Sequence, residues 1–290
     1  MRNELNLWVA GGDMRQAKLA ELLAADGHTV HAYALERLGA LDGVEMEESL
    51  EGAALADCVV LPLPAAGEGS LLNAPLSGRK HPLALVLDAL RPGQVICAGM
   101  VGPQTAALAA DRGLTLHDYF AREELAVANA VPTSEGAIQI AMEELPITLH
   151  GSKALVVGYG RLGHVLARQL RGLGAAVSVA ARNYTDLAWA QVWSYGVERS
   201  DQLSGWLCGY DLVINTVPAP VLGRAELADL KPGCLVIDLA SKPGGVDFTA
   251  AAELGVKVIW ALSLPGKTAP VTAGLAIKNT IYNILTELGV

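Results

Sequence analysis

Three glycines, Gly158, Gly160 and Gly163, stand in a Gly-x-Gly-x-x-Gly spacing directly after the apolar run Leu155-Val156-Val157. That pattern suits the pyrophosphate of a dinucleotide. The first glycine permits a tight turn, the second lets the backbone approach the phosphates, and the third packs helix on strand. Leu162, Val165, Leu166, Leu170 and Leu173 then recur at helical spacing. The glycines therefore lie between a buried strand and a helix start, whose N–H groups and dipole favour anions. Phosphate contacts are expected from Gly158, Gly160, Arg161, Leu162 and Gly163.

The next strand ends at Ala180-Ala181-Arg182-Asn183. An NAD site places an acid roughly 20 residues beyond the glycines to bind the ribose hydroxyl, but here no acid occurs before Asp186. Arg182 would instead pair with a 2′-phosphate through charge-assisted hydrogen bonds, although a solvated surface arginine is an ordinary alternative. The pattern predicts NADP, with Arg182 and Asn183 at its ribose. After Asp211-Leu212-Val213-Ile214, the loop Asn215-Thr216-Val217-Pro218 should run beside the cofactor, making Asn215, Thr216 and Pro218 further contacts.

Three cations could hold an acidic substrate. Arg15 begins a helix after Leu7-Trp8-Val9-Ala10-Gly11-Gly12 and offers a bidentate fork for a carboxylate. Lys242 and Lys267 follow the strands Leu235-Val236-Ile237 and Val258-Ile259-Trp260, and solvated loop lysines are the ordinary alternative for either. Glu135, in Val131-Pro132-Thr133-Ser134-Glu135-Gly136, is a candidate general base, or else stabilises the first turn of a helix capped by Thr133 or Ser134. Asp13 poses the same choice.

These residues need a scaffold of strands alternating with helices. The chain echoes itself: Asp57-Cys58-Val59-Val60-Leu61-Pro62 resembles Asp211-Leu212-Val213-Ile214-Asn215-Thr216. Leu90-Arg91-Pro92-Gly93-Gln94-Val95-Ile96 likewise resembles Leu230-Lys231-Pro232-Gly233-Cys234-Leu235-Val236. Shared ancestry and shared turn chemistry both account for this. Either way the fold class is α/β, with two Rossmann-like, doubly wound domains of parallel sheet joined by long helices across a cleft. Residues 1–130 form the first, substrate-binding domain, and residues 131–270 the nucleotide-binding domain with its linking helix. A helix over 271–290 returns to the first domain.

Composition narrows the classes further. A content of 52 % hydrophobic and 18 % charged residues fits a globular α/β enzyme. The net charge of −9 argues against nucleic-acid and anionic-membrane partners. Four cysteines without Cys-x-x-Cys spacing, and a start without a secretory apolar region, point to a reducing, cytoplasmic setting. No apolar stretch is long enough to span a bilayer. All six histidines lie at or before His164, which weakens a D-2-hydroxyacid dehydrogenase reading, whose proton transfer uses a late histidine. No residue spacing suggests a catalytic metal.

Several longer motifs are more specific than the glycines. They are Gly11-Gly12-Asp13-Met14-Arg15-Gln16, Val131 to Gly136, His150-Gly151-Ser152, Asp238-Leu239-Ala240-Ser241-Lys242-Pro243-Gly244-Gly245-Val246-Asp247-Phe248 and Leu264-Pro265-Gly266-Lys267-Thr268-Ala269-Pro270. With them, nearly the whole chain resembles the family of A-type, dehydrogenase-like subunits of dipicolinate synthase from spore-forming Firmicutes. The resemblance implies NADP-dependent oxidation of a dihydrodipicolinate to pyridine-2,6-dicarboxylate, in a branch of the lysine pathway, in the mother-cell cytoplasm during sporulation. It implies a flavoprotein-like second subunit, and a homo-oligomer is expected. The family usually carries Arg where Lys242 stands; Lys keeps the charge without the fork. Two other readings stay open: a nucleotide-binding, non-catalytic partner of the second subunit, and a shikimate- or methylenetetrahydrofolate-dehydrogenase-like oxidoreductase. The shikimate enzyme's N-terminal Lys–Asp pair is not evident.

Overall fold

A computed structural model describes residues 4–290. The chain forms two compact units, Met1–Asn129 with Pro265–Val290, and Ala130–Leu264.

The first unit contains β1 (Asn6–Ala10), α1 (Met14–Ala25), β2 (Thr29–Tyr33), β3 (Glu45–Glu47), β4 (Cys58–Val60), α2 (Leu83–Asp88), β5 (Val95–Ala98), α3 (Pro103–Ala110) and β6 (Leu116–Asp118). Its sheet runs β3-β2-β1-β4-β5-β6, with every pairing parallel. The chain then enters α4 (Glu123–Glu144), within which it passes to the second unit.

The second unit adds β7 (Lys153–Val157), α5 (Arg161–Gly172), β8 (Ala176–Ala181), α6 (Tyr184–Val192), β9 (Gly196–Arg199), β10 (Leu212–Asn215), α7 (Arg224–Ala228), β11 (Leu235–Asp238), α8 (Phe248–Leu254) and β12 (Lys257–Trp260). Its order is β12-β11-β10-β7-β8-β9, again wholly parallel. Read from β9, this is the winding of the first sheet. Parallel sheets are covered on both faces, which is why β4 and residues 154–157 of β7, 212–214 of β10 and 235–237 of β11 are apolar without a break and buried. In each unit the winding reverses at the central strand, between β1 and β4 and between β7 and β10. Crevices for ligands open at the carboxyl ends of such strand pairs.

The last helices are α9 (Leu264–Thr268) and α10 (Pro270–Leu288). Ile277, Ile281, Ile284 and Leu285 repeat at helical spacing and pack with Leu19, Ala20 and Leu23 of α1. Each such buried side chain contributes about 1.5–3 kcal/mol. Gly274 permits the close crossing, because a Cβ there would stand 3.0 Å from the Arg15 carbonyl oxygen. The chain rejoins the first unit at Pro265, so Lys267 belongs to that unit and not to the second, where chain order had put it.

The Thr133 or Ser134 cap is also not found. α4 begins at Glu123 and runs through Pro132. Proline removes one helical hydrogen bond, but Glu123-Glu124-Leu125-Ala126 before it are good helix formers that extend the helix upstream. Glu135 is consequently exposed and mid-helix, outside the first turn.

Candidate nucleotide and substrate sites

In the second unit each fingerprint glycine has a different physical reason. Gly158 follows β7 with φ +96°, and a Cβ there would lie 2.3 Å from Thr216 Oγ1. Thr216, just beyond β10, is drawn in by its own N–H and hydroxyl, which both donate to the Val157 carbonyl at 2.8 and 2.9 Å. A Cβ on Gly163 would meet the Gly158 carbonyl oxygen at 2.2 Å, so the start of α5 lies directly on the loop. Gly160 differs, because a Cβ there would meet open space. It is the N-cap of α5 and supplies no side-chain cap. An open approach, an uncapped helix start and the switch point between β7 and β10 together fit a pyrophosphate.

Arg182 is exposed directly beyond β8. Asn183 caps α6, its Oδ1 accepting from the Thr185 N–H at 2.8 Å. A second arginine, Arg199, ends the neighbouring β9, lies 4.8 Å over the Tyr184 ring and donates to Asp201 at 2.5 and 2.9 Å. Hydrogen bonds from Arg199, with the charge of Arg182 also felt, hold the Asp201 carboxyl below its ordinary value. Sequence reading missed Arg199; its signal was a basic residue ending the strand after Gly196, next to a strand that Arg182 follows.

Asn215 does not offer its amide to a ligand. It is fully buried, and Nδ2 donates to Asp238 Oδ1 at 2.8 Å and to the Val217 carbonyl at 3.0 Å, while Oδ1 accepts from the Val217 N–H. Asp238, equally buried, also accepts from the Ala240 and Gly245 N–H groups at 3.0 and 2.8 Å. The pair fastens the loop carrying Lys242 and the cis Lys242–Pro243 peptide. Lys242 and Pro218 are exposed.

In the first unit the crevice between β1 and β4 holds Arg15, which is 8 % exposed. Its expected fork is not open. Nε donates to Asp13 Oδ1 at 2.9 Å, and Nη2 donates to Asp13 Oδ2 at 2.8 Å and to the Leu63 carbonyl at 2.9 Å. Beside it Gln16 Nε2 donates to the Leu61 carbonyl at 3.0 Å, as does the Tyr119 hydroxyl, and burial raises that phenol far above its usual range. Lys267 is exposed on α9, and neither it nor Lys242 has a carboxylate partner among the described residues.

Two features lie elsewhere. A cavity of about 580 Å³, bordered by Lys153, Arg171, Ser178 and Tyr210, sits at the amino ends of β7 and β8, away from the glycine loop. His31, Glu45 and Glu47 form a histidine–carboxylate cluster on β2 and β3 that spacing along the chain did not reveal, because it arises from pairing of two strands.

Two doubly wound units, one bearing an open glycine fingerprint at its switch point, define a dehydrogenase-type protein with a pyridine-nucleotide-binding domain. The alanine dehydrogenase/PNT C-terminal domain family matches residues 124–289. The family of N-terminal domains from the A-type subunit of dipicolinate synthase matches residues 6–120. That subunit from Bacillus subtilis is 31 % identical over 99 % of this chain and 98 % of its own. The chain belongs to the family of A-type dipicolinate synthase subunits. A crystal structure of the Bacillus halodurans member superimposes with a TM-score of 0.90 at 29 % identity, covering 97 % of each chain. A transhydrogenase from Sinorhizobium meliloti shares the fold, with a TM-score of 0.73 at 19 % identity over 97 % of this chain and 94 % of that one. Among the described residues, no helix is long and apolar enough to cross a membrane.

Proposed function

We propose that this protein oxidises dihydrodipicolinate to pyridine-2,6-dicarboxylate with NADP⁺, as the dehydrogenase-like component of a two-subunit synthase. The observation that carries the reading is whole-length similarity to a dipicolinate synthase component, joined to a glycine loop open at Gly160. Bound at Gly158, Gly160, Arg161, Leu162 and Gly163, NADP⁺ supplies a hydride acceptor. Arg182 is assigned to its 2′-phosphate, and Thr216 and Pro218 to the loop beside its ribose.

The chain's own task is mainly positioning. Aromatisation of the ring drives the loss of one hydride and one proton, and holding a dianion in place can supply much of the rate enhancement. Arg15 and Lys267, in the first unit, are the cations we assign to a carboxylate. Lys242, in the second, is a separate candidate. The released proton needs an exposed acceptor, for which Glu135 is our candidate. The partner is a flavoprotein-like second subunit, self-association is expected, and the setting is the mother-cell cytoplasm during sporulation.

The test mixes the purified chain with NADP⁺ and freshly made product of dihydrodipicolinate synthase, following NADPH and dipicolinate by absorbance, with and without the second subunit. NADPH formed in step with dipicolinate supports the proposal. Dipicolinate formed in the complete mixture without NADPH overturns it and leaves this chain a nucleotide-binding partner.

A further inference from the structure

Asp13 opens α1 as its N-cap, and its Oδ1 accepts from the Arg15 N–H at 3.0 Å. The same carboxylate lies along one edge of the Arg15 guanidinium, taking Nε at 2.9 and 3.2 Å and Nη2 at 2.8 Å. Nη2 also donates to the Leu63 carbonyl at 2.9 Å, immediately before the cis Leu63–Pro64 peptide. A guanidinium has five N–H groups in a fixed plane. Those on Nε and Nη2 are thus engaged, and the two on Nη1 have no hydrogen-bond partner among the described residues.

A third element closes over this pair. A Cβ on Gly266 would stand 3.1 Å from Arg15 Nε, 3.1 Å from Asp13 Oδ2 and 3.4 Å from Arg15 Cδ. The backbone of α9 therefore packs against the ion pair so closely that a Cβ there would press the pair back by a few tenths of an ångström, and Lys267 is the next residue along. Cap, strand-exit carbonyl and glycine together fix a mostly buried arginine in one plane and one rotamer before any ligand arrives. Such an arrangement is preorganised: the freedom a long side chain would lose on binding is lost on folding instead.

We propose that Asp13 is a positioning residue for Arg15, holding the guanidinium so that Nη1 alone is presented to a substrate carboxylate. This rests on the reading of Arg15 as a carboxylate-binding cation. Asp13 touches no substrate; it acts through Arg15, and Gly266 keeps the pair in register. The carboxylate then accepts from a single nitrogen, and the bidentate edge belongs to the protein.

The test uses the full chain and pyridine-2,6-dicarboxylate as the probe, with binding followed by calorimetry and NADP⁺ affinity as the control. Asp13→Ala is expected to weaken dicarboxylate binding by about tenfold or more and leave NADP⁺ binding unchanged. Added formate, small enough to fill the vacated place, should tighten probe binding to Asp13→Ala while only competing in the unsubstituted chain. Gly266→Ala should weaken the probe several-fold, and it serves in place of Asp13→Ala if that variant does not fold. If Asp13→Ala and Gly266→Ala bind the probe normally while Arg15→Ala does not, the positioning role is overturned and the reading of Arg15 stands. A loss in Asp13→Ala that formate does not restore also overturns it, marking Asp13 as a helix cap only. If Arg15→Ala binds normally, or the unsubstituted chain does not bind at all, the underlying reading fails and takes the proposal with it.

Discussion

The side-chain amide of Asn215 donates to the carboxylate of Asp238 across 2.8 Å, with both residues fully buried at the ends of adjacent strands. A buried carboxylate is tolerated only when its oxygens are met by donors. Asp238 has three: Asn215 Nδ2 and the N–H groups of Ala240 and Gly245. The pair is thus the fastening of the loop between β11 and α8. Asn215→Leu keeps the number of side-chain heavy atoms but removes the donor to Asp238 and both bonds to Val217, which should cost about 1–3 kcal/mol for each buried group left unpaired. Urea unfolding should show that loss, while NADP⁺ affinity of the folded variant stays near that of the parent. A large affinity loss at unchanged stability would return Asn215 to the cofactor.

The two glycines of the α5 start should separate folding from binding. Gly163→Ala places a Cβ 2.2 Å from a backbone oxygen, which no side-chain rotation relieves. It should lower the thermal midpoint and nucleotide affinity together. Gly160→Ala meets open space, so its midpoint should match the parent, while a methyl group in the path of the phosphates lowers NADP⁺ affinity by about tenfold. Thermal melts run beside fluorescence titration would decide. Unchanged affinity in Gly160→Ala would place the phosphates elsewhere.

Acid should loosen the packing of α10 on α1. Partial burial of Asp26 pushes its carboxyl up, but hydrogen bonds from Lys278 at 2.6 Å and Tyr282 at 2.7 Å, with the ammonium charge, outweigh this and leave it below its ordinary value. A depressed carboxyl contributes stability above its unfolded value, near pH 4, and loses it as the pH falls through the folded value. Stability should therefore decline below about pH 4, and the decline should be shallower in Lys278→Met, whose Asp26 titrates closer to normal. Urea midpoints at stepped pH would show it. Parallel acid limbs in the two proteins would remove Asp26 as a contributor.

The sheets were legible because a strand buried on both faces must be apolar along its length, as in Leu155-Val156-Val157 and Leu212-Val213-Ile214. The glycine loop was legible because three steric demands fall at fixed spacing. The linking helix misled, since Pro132 followed by Thr133 and Ser134 has the composition of a helix start while the residues before it are equally helical. Arg15 was singled out by type alone, and its pairing with Asp13 depends on rotamers and on a carbonyl 48 residues further on, Leu63. Lys267 was assigned to the wrong unit because the chain leaves the second unit at Leu264, before its strand-exit loop ends. Asn215 was misread for a related reason: a polar residue ending a buried strand can face a ligand or a neighbouring loop, and only the position of Asp238 decides which.

Arg182 and Arg199 follow and end adjacent strands of the second sheet, and they differ in what already holds them. Arg199 is paired with Asp201 and stacked on Tyr184. Arg182 is exposed and close enough to lower the Asp201 carboxyl. A guanidinium hydrogen-bonded to a phosphate contributes about 1.5–3 kcal/mol. Arg182→Asp should therefore weaken NADP⁺ by about tenfold or more and leave NAD⁺ nearly unchanged. Arg199→Ser should weaken NADP⁺ less, since its charge is already met by Asp201. Equal losses for both nucleotides in Arg182→Asp would show that this residue does not read the 2′-phosphate. The larger selective loss in Arg199→Ser would instead move that role to β9.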